Sequence, residues 1–309
     1  MLTGYSFFVL FSFNIKSAAK LFILLSDFNK FGKPPKFDER NEQLNRFSRY
    51  HYIYINLASF AFLSVTNIFK SHQCIKENQE YNFNEVCGLI TNAWLPFDID
   101  YFPLKQIYAT LQVFSIFYVY VTAGTVTWLV VEVVEHISVR IDHIKHLFTS
   151  ALKEKDPEEM KRNFRFAVQY HSWFLELEDE LNKSFSIPMF SMMLLGAPIL
   201  GCAAFGYMEV TGANSLLVIC LSWFNALALV SFGGQRLINE NLTIAEEIYN
   251  SKWVDVAPIL GKDIIIILTR CQKPMKLRAA AFGVMNHAMI VSVSRAAYSY
   301  LNILRASSK

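Results

Sequence analysis

The stretch ILTRCQKPMKLRA, residues 267–279, decides the fold of this chain together with the segments on either side of it. It follows the polar stretch QRLINENLTIAEEIYNSKW (residues 235–253) and precedes an apolar segment that ends in SRAAYSYLNILR (residues 294–305). Each stretch alone is weakly informative, because QKP or AYSY can occur by chance. Taken in order, they place a polar stretch and a proline, which interrupts the hydrogen-bond ladder of a helix, before the last apolar segment.

The composition indicates a membrane protein. Of the 309 residues, 53% are hydrophobic, 15% aromatic and only 18% charged, which is more apolar surface than a soluble protein of this size usually buries. The net charge of +3 is too small to favour nucleic acid as a partner. We therefore expect an all-α, polytopic transmembrane helix bundle in contact with membrane lipid.

Six stretches are long and apolar enough to cross a bilayer as helices, which takes roughly 20 residues. They are residues 5–25, 50–69, 104–134, 185–207, 213–234 and 279–304. The first stretch carries Lys16 and Lys20, and we expect their ammonium groups to reach the cytoplasmic interface by snorkelling.

Basic residues alternate along the chain and orient these spans. Residues 27–49, 136–184 and 235–278 contain six, eight and seven Lys or Arg, whereas residues 70–103 contain two. Because short basic segments stay in the cytoplasm, residues 70–103 and both termini are predicted to lie outside. Cys74 and Cys87 both fall in this external segment, where an oxidising compartment permits a disulfide.

A helical hairpin is predicted on the cytoplasmic side. Apolar residues recur at helical spacing through residues 132–183, interrupted by KEKDPEE at residues 153–159. Asp156 and Pro157 make a good cap and first-turn pair for the second helix of this hairpin.

The sequence contains no GxSxG, HExxH or Gly-rich phosphate loop, so nothing in it favours an enzyme. His143 and His146 form an HIKH pair that could hold a metal, but a solvated helix face is the ordinary interpretation of such a pair. We expect neither a metal nor another cofactor. His287 and Arg295 lie in the last predicted span, where an ionisable side chain needs water or a partner.

The carboxyl-terminal order of elements resembles that of insect odorant receptors. Their LxRxQKPxxLxA-like motif is matched by Gln272, Lys273, Pro274 and Leu277, and their YSY element by residues 298–300. Further positions of the family pattern are occupied by Gly234, Glu240, Tyr249 and Trp253. The likeness extends over nearly the whole chain, including the external segment that ends in WLPFDIDYFP at residue 103.

The resemblance implies one odorant-receptor transmembrane domain over residues 1–309, with a cytoplasmic anchor helix and a pore helix within residues 235–309. Family members usually have seven spans, and this chain aligns from the second, so six spans are expected. The implied function is that of an olfactory receptor subunit, an odorant-gated nonselective cation channel assembled as a heterotetramer with the shared co-receptor. The implied location is the plasma membrane, in the dendrite of an olfactory sensory neuron.

The resemblance also implies two sites. Small volatile hydrophobic ligands would bind in the outer half of the membrane, and the candidate odorant-binding residues are Phe7, Phe11, Asn56, Phe60, Leu63, Tyr108, Leu111, Phe114, Leu217, Cys220 and Phe224. The candidate pore residues are Ser299, Ile303, Ala306 and Ser307. Ile303 aligns with an apolar constriction, which can close a pore by dewetting.

Three other classes of membrane protein compete with this interpretation. A gustatory receptor-like channel has the nearest architecture, but the wording QKPMKLRA followed by AAYSY favours the odorant branch. A G-protein-coupled receptor would require the opposite orientation of the basic segments. A membrane-embedded transporter or enzyme is the least favoured alternative, because no motif in the sequence indicates turnover of a substrate.

Overall fold

The computed structural model describes residues 9–81, 86–90, 99–209, 214–251 and 253–307. In these ranges the chain is helical, with one isolated antiparallel bridge between Arg278 and Val284. The all-α fold class predicted from the sequence is confirmed. The helices are α1 (Ile15–Ser26), α2 (Phe37–Tyr81), α3 (Leu104–Ala151), α4 (Pro157–Glu209), α5 (Asn214–Asn250), α6 (Ala257–Cys271) and α7 (His287–Ser307).

Several helices run well past the predicted spans. By length and composition, α3, α4 and the Ser215–Asn250 part of α5 can cross a membrane, and α3 and α5 continue far into the polar segments that follow their apolar stretches. The polar stretch that begins at Gln235 therefore continues α5 as far as Asn250 and does not form a separate segment between helices. The count of six spans stays a prediction.

The predicted start of the last span, at Ala279, is wrong, because α7 begins only at His287. The residues before it form a small hairpin in which the Ala279 amide donates to the Gly283 carbonyl at 2.9 Å. The Met285 amide donates to the Leu277 carbonyl at the same distance. Apolar composition alone did not separate this hairpin from the helix, since both are largely apolar and contain several alanines.

The core lies where α3, α4 and α5 pack together, and α1 and α6 add to it. Its largest apolar side chains are fully buried and aromatic, and they include Phe148, Phe164, Phe174 and Phe185. The helical hairpin predicted around residues 153–159 is confirmed, and its cytoplasmic location stays a prediction. Asp156 caps its second helix, since its Oδ2 accepts the amide hydrogen of Glu159 at 3.2 Å.

The carboxyl-terminal end of α1 is held by a buried cation on α3. Arg140 is 1% exposed, and its guanidinium lies against the rings of Phe28 and Trp173, 5.1 and 4.9 Å from their centroids. It donates to the Tyr170 hydroxyl at 3.1 Å. The same guanidinium donates to three backbone carbonyls, those of Leu24 at 3.2 Å, Leu25 at 2.7 Å and Asp27 at 2.9 Å. Backbone oxygens and aromatic faces thus replace the carboxylate that usually accompanies a buried cation.

A second link joins α1 to α4. The Lys20 ammonium lies 2.8 Å from the Glu180 carboxylate, which also receives Lys183 at 3.1 Å. Lys20 remains 61% exposed, so the predicted surface position is compatible with this pairing.

Candidate pore and ligand sites

The last helix, α7, packs along one side only. Met289, Val293 and Ala297 are its buried residues and lie four positions apart, so they form a single stripe. This stripe faces α4, where Gly201 allows close approach. A β-carbon at Gly201 would lie 2.8 Å from Cβ of Tyr300 and 2.9 Å from the Ala297 carbonyl oxygen.

The opposite side of α7 is exposed in the single chain and carries the candidate pore residues. Ile303 is 65% exposed, and Ser299, Ala306 and Ser307 are exposed with it. Arg295 lies on the exposed side too. The structure therefore brings the four candidates onto one accessible surface of one helix.

The hydroxyl groups on this surface are satisfied within α7. Ser299 donates to the Arg295 carbonyl at 3.1 Å, and Ser307 donates to the Leu304 carbonyl at 2.9 Å. His287 lies in the first turn of α7 and not at mid-helix, with its ring 4.8 Å from that of Phe232 in an edge-on contact.

The candidate odorant-binding residues do not share one environment. Phe11 is buried in the main core, where its ring lies 6.1 Å from that of Phe185, and Leu63 is 3% exposed. Five others are exposed on the single chain: Phe60, Leu111, Phe114, Leu217 and Phe224. Asn56, Tyr108 and Cys220 are partly buried, and Phe7 lies outside the described residues.

Leu63 belongs to a small apolar cluster between α2 and α3 that contains Ile90 and Ile116. Partly buried side chains pack around it: Phe62, Val113, Phe117 and Tyr120. These side chains were missed by sequence reasoning, which chose Phe60 and Phe114 on the other sides of the same helices. In a lipid environment both sides of a helix are apolar, so hydrophobicity does not reveal which side points inward.

A cavity of about 180 Å³ lies between the amino-terminal part of α2 and the second half of α3. It is lined by Phe37, Arg40, Asn41, Gln43, Leu44, Phe47, Trp128, Val131, Glu135, His136 and Val139. None of the described candidate odorant-binding residues lines it. Glu135 is paired there with Arg236 of α5.

The structure joins Cys74 and Cys87 in a disulfide, with their Cα atoms 5.5 Å apart. Cys202, Cys220 and Cys271 are free.

Two histidines of the cytoplasmic hairpin are buried. Burial lowers the pKa of His171 to about 4, with a smaller contribution from the charge of Arg270, and its Nε2 lies 3.6 Å from the Cys271 sulfur. Burial also lowers the pKa of His143 to about 4. Both imidazoles are therefore neutral at pH 7. In the described ranges no three His, Cys, Asp or Glu side chains are grouped as metal ligands.

Comparison with known proteins identifies the family that this chain matches. A family model described as the 7tm odorant receptor matches residues 3–298. The chain belongs to the odorant receptor family. The resemblance seen in the carboxyl-terminal motifs is thereby confirmed, and the chain is a multi-pass membrane receptor and not an enzyme.

Curated relatives of this odorant receptor come from several insects. Odorant receptor 67c of Drosophila melanogaster is 23% identical over 310 residues, covering 95% of this chain and 74% of the relative. The odorant receptor coreceptor of Ooceraea biroi is 23% identical over 159 residues, covering 50% of this chain and 33% of the relative. For most of the curated relatives that it matches, the matched segment spans less than half of their length.

The fold is also that of a solved structure. The insect olfactory receptor OR5 from Machilis hrabei, in complex with eugenol, aligns with a TM-score of 0.77 at 14% identity. The alignment covers 99% of this chain and 78% of the OR5 chain. At this identity the likeness establishes the shared helical fold.

Proposed function

We propose that this odorant receptor is the ligand-binding subunit of an odorant-gated, nonselective cation channel that assembles with the odorant co-receptor as a heterotetramer. In this proposal residues 1–309 act as one transmembrane domain. Residues 235–309 supply the anchor and pore helices, and the channel works in the dendritic membrane of an olfactory sensory neuron.

The one-sided packing of α7 carries the proposal. A helix in a membrane that exposes Arg295 to lipid would be costly, so that side needs water or another subunit. The same side presents Ile303 and small hydroxyl side chains, a composition suited to a narrow, wettable pathway with an apolar constriction. α7 is also too polar to count among the helices that cross a membrane by composition alone, which fits a helix lining water.

The proposed ligands are small, volatile and hydrophobic. The candidate residues offer mainly aromatic and aliphatic surface, whose burial contributes about 25 cal/mol per Å² and depends little on orientation. Phe11 and Leu63 are the inward-pointing members in the described structure and are the first choices for mutation. The exposed candidates serve the pocket only if another helix or subunit covers them.

The test is to co-express the receptor with the co-receptor and apply an odorant panel while recording current. An Ile303→Ser variant should conduct more without odorant, because a hydroxyl makes dewetting of the constriction harder. Leu194→Ser is the matched control, since Leu194 is also an exposed aliphatic residue, at 55%, and lies on α4 outside the proposed pore surface. Surface levels must be equal across variants.

Equal basal current, equal evoked current and unchanged ion selectivity in Ile303→Ser and Leu194→Ser would remove Ile303 from the gate. A wild-type complex that reaches the surface and stays silent to every odorant would contradict the proposed function itself.

A further inference from the structure

The segment between α6 and α7, residues 272–286, is here called the connector. It contains the hairpin of residues 277–285 and sits against α4. Within it, Ala280 has a φ of 49°, in the left-handed region that non-glycine residues rarely occupy. A backbone held in this way needs neighbours that fix it in place.

Side chains of α4 supply those neighbours at every fourth residue. The Asn182 carboxamide donates to the Lys276 carbonyl at 2.9 Å and accepts the Arg278 amide hydrogen at 2.8 Å. It thereby pairs with the connector as a neighbouring β-strand would. Four residues later, the Ser186 hydroxyl accepts the amide hydrogen of Ala280 at 2.9 Å.

The same side of α4 continues in both directions. Glu178 accepts the Lys276 amide hydrogen at 3.3 Å and a guanidinium hydrogen of Arg278 at 3.3 Å. The ring of Phe190 stacks on that of Phe282, 4.8 Å between centroids with an interplanar angle of 18°. Glu178, Asn182, Ser186 and Phe190 are here called the α4 ladder.

A close approach on α5 limits the connector from a second direction. A β-carbon at Gly234 would collide with the carbonyl oxygen of Met285. The connector is therefore clamped between α4 and α5 immediately before α7 begins.

We propose that the α4 ladder positions the start of α7, so that a movement of α4 is passed through the connector to the proposed gate. The ladder residues are positioning residues, since they touch the connector and lie outside the proposed pore surface. The inference rests on the proposed function, because it assigns the ladder a part in gating.

Geometry and chain order support this assignment. From Glu178 to Phe190 the ladder contacts the connector in register from Lys276 to Phe282, and α4 then packs along α7 through Gly196 and Gly201. One helix thus follows the chain through the connector and into the last helix. A hydrogen bond from a fixed side chain to a backbone amide transmits position better than an apolar contact, because its distance and angle are narrowly defined.

The test compares Asn182→Ala and Ser186→Ala with Asp179→Ala in the full chain co-expressed with the co-receptor. Asp179 is an exposed residue on a neighbouring side of α4 and serves as the matched control. The first readout is hydrogen exchange of the connector by mass spectrometry in the purified complex. Exchange of the amides that the ladder holds should accelerate about tenfold in the two ladder variants, the effect of losing one ordinary hydrogen bond.

The second readout is the odorant concentration that gives half-maximal current. It should rise about fivefold or more in Asn182→Ala, the lower range of ordinary coupling between sites, and stay unchanged in Asp179→Ala. Unchanged connector exchange in both ladder variants would overturn the inference, and so would faster exchange with an unchanged concentration dependence. A silent wild-type complex would contradict the proposed function, while the exchange comparison would still decide whether the ladder holds the connector.

Discussion

At the residue scale, His171 illustrates how burial fixes a protonation state. Its imidazole is 2% exposed and packs against the ring of Phe148 and the thiol of Cys271. Burial raises the pKa of that thiol to about 11, so the thiol and the imidazole are both uncharged at pH 7. A neutral thiol and imidazole add one weak polar contact to an otherwise apolar junction between α4 and α6.

The depressed pKa of His171 makes the stability of the fold depend on pH. Because the folded pKa is about 4 and the unfolded value is about 6.5, the unfolded chain binds a proton that the folded chain refuses. The stabilisation is therefore complete above pH 6.5 and is lost as pH falls from 6.5 towards 4. The loss amounts to roughly 1.4 kcal/mol per pH unit for each such histidine.

The measurement is the thermal unfolding midpoint in one detergent at several pH values between 7.5 and 5. His171→Gln should reduce the slope of this midpoint with pH but not abolish it, because His143 titrates in the same way. His146→Gln, at an exposed position, is the control. Identical slopes in all three proteins would refute the assignment.

Contacts of individual residues were the part of the structure that the sequence predicted least. Glu178, Asn182 and Ser186 are visibly spaced four residues apart in the sequence. This spacing does not show which backbone segment their side chains will contact. Arg140 gave no signal, since three of its four hydrogen bonds go to backbone carbonyls more than 100 positions away. Contacts to main chain leave no complementary residue to search for.

At the scale of the element, α4 combines features that weaken a helix with features that bring it close to a neighbour. Pro188 and Pro198 lie inside it, and each removes a backbone hydrogen bond. Gly201 lets α7 approach its backbone. The helix is therefore adapted to a tight crossing at the expense of its own regularity.

This crossing can be tested with two glycines of the same helix. Gly201→Ala should destabilise the fold by about 1–3 kcal/mol, the usual cost of overpacking, because its β-carbon would meet backbone atoms of α7. Gly196→Ala should be neutral or stabilising by up to about 1 kcal/mol, since its β-carbon would lie 3.5 Å from a Val293 methyl. Chemical or thermal unfolding in one detergent measures both, and equal stabilities would show that the crossing tolerates a methyl group.

Element boundaries were predictable where local chemistry sets them. The pair Asp156 and Pro157 predicted the start of α4 because a cap and a first-turn proline act within a few residues. The start of α7 was not predictable in this way. It is set by the hairpin and its contacts with α4 and α5, which are tertiary.

At the scale of the whole molecule, charge and covalent chemistry predict the same outward-facing end. The disulfide of Cys74 and Cys87 lies in the segment that carries few basic residues, and the buried α3–α4 hairpin lies in a strongly basic one. The helical bundle was predictable from composition and span length. The inward-pointing sides of α2 and α3 were not, because lipid and protein interior are both apolar.

Orientation has a direct test. N-glycosylation sites engineered singly into residues 70–103 should be modified when the receptor is made in cells, and sites engineered into residues 153–165 should not. Mobility on gels before and after deglycosidase treatment reports the result. Modification at 153–165 alone would reverse the topology and remove the basis for a cytoplasmic connector.

The three hydrogen bonds from Arg140 to backbone carbonyls at the end of α1 have a consequence for biosynthesis. α1 is translated early, whereas the guanidinium that grips its last turn belongs to a residue 113–116 positions later, and Tyr170 and Trp173 follow later still. At about 5–20 residues per second, the ribosome needs on the order of ten seconds to supply that residue. During this interval the nascent α1 lacks the residues of α3 and α4 that hold its end in the folded protein. The contact with Arg140 can therefore fix the final position of α1 only after residues 140–173 have been made.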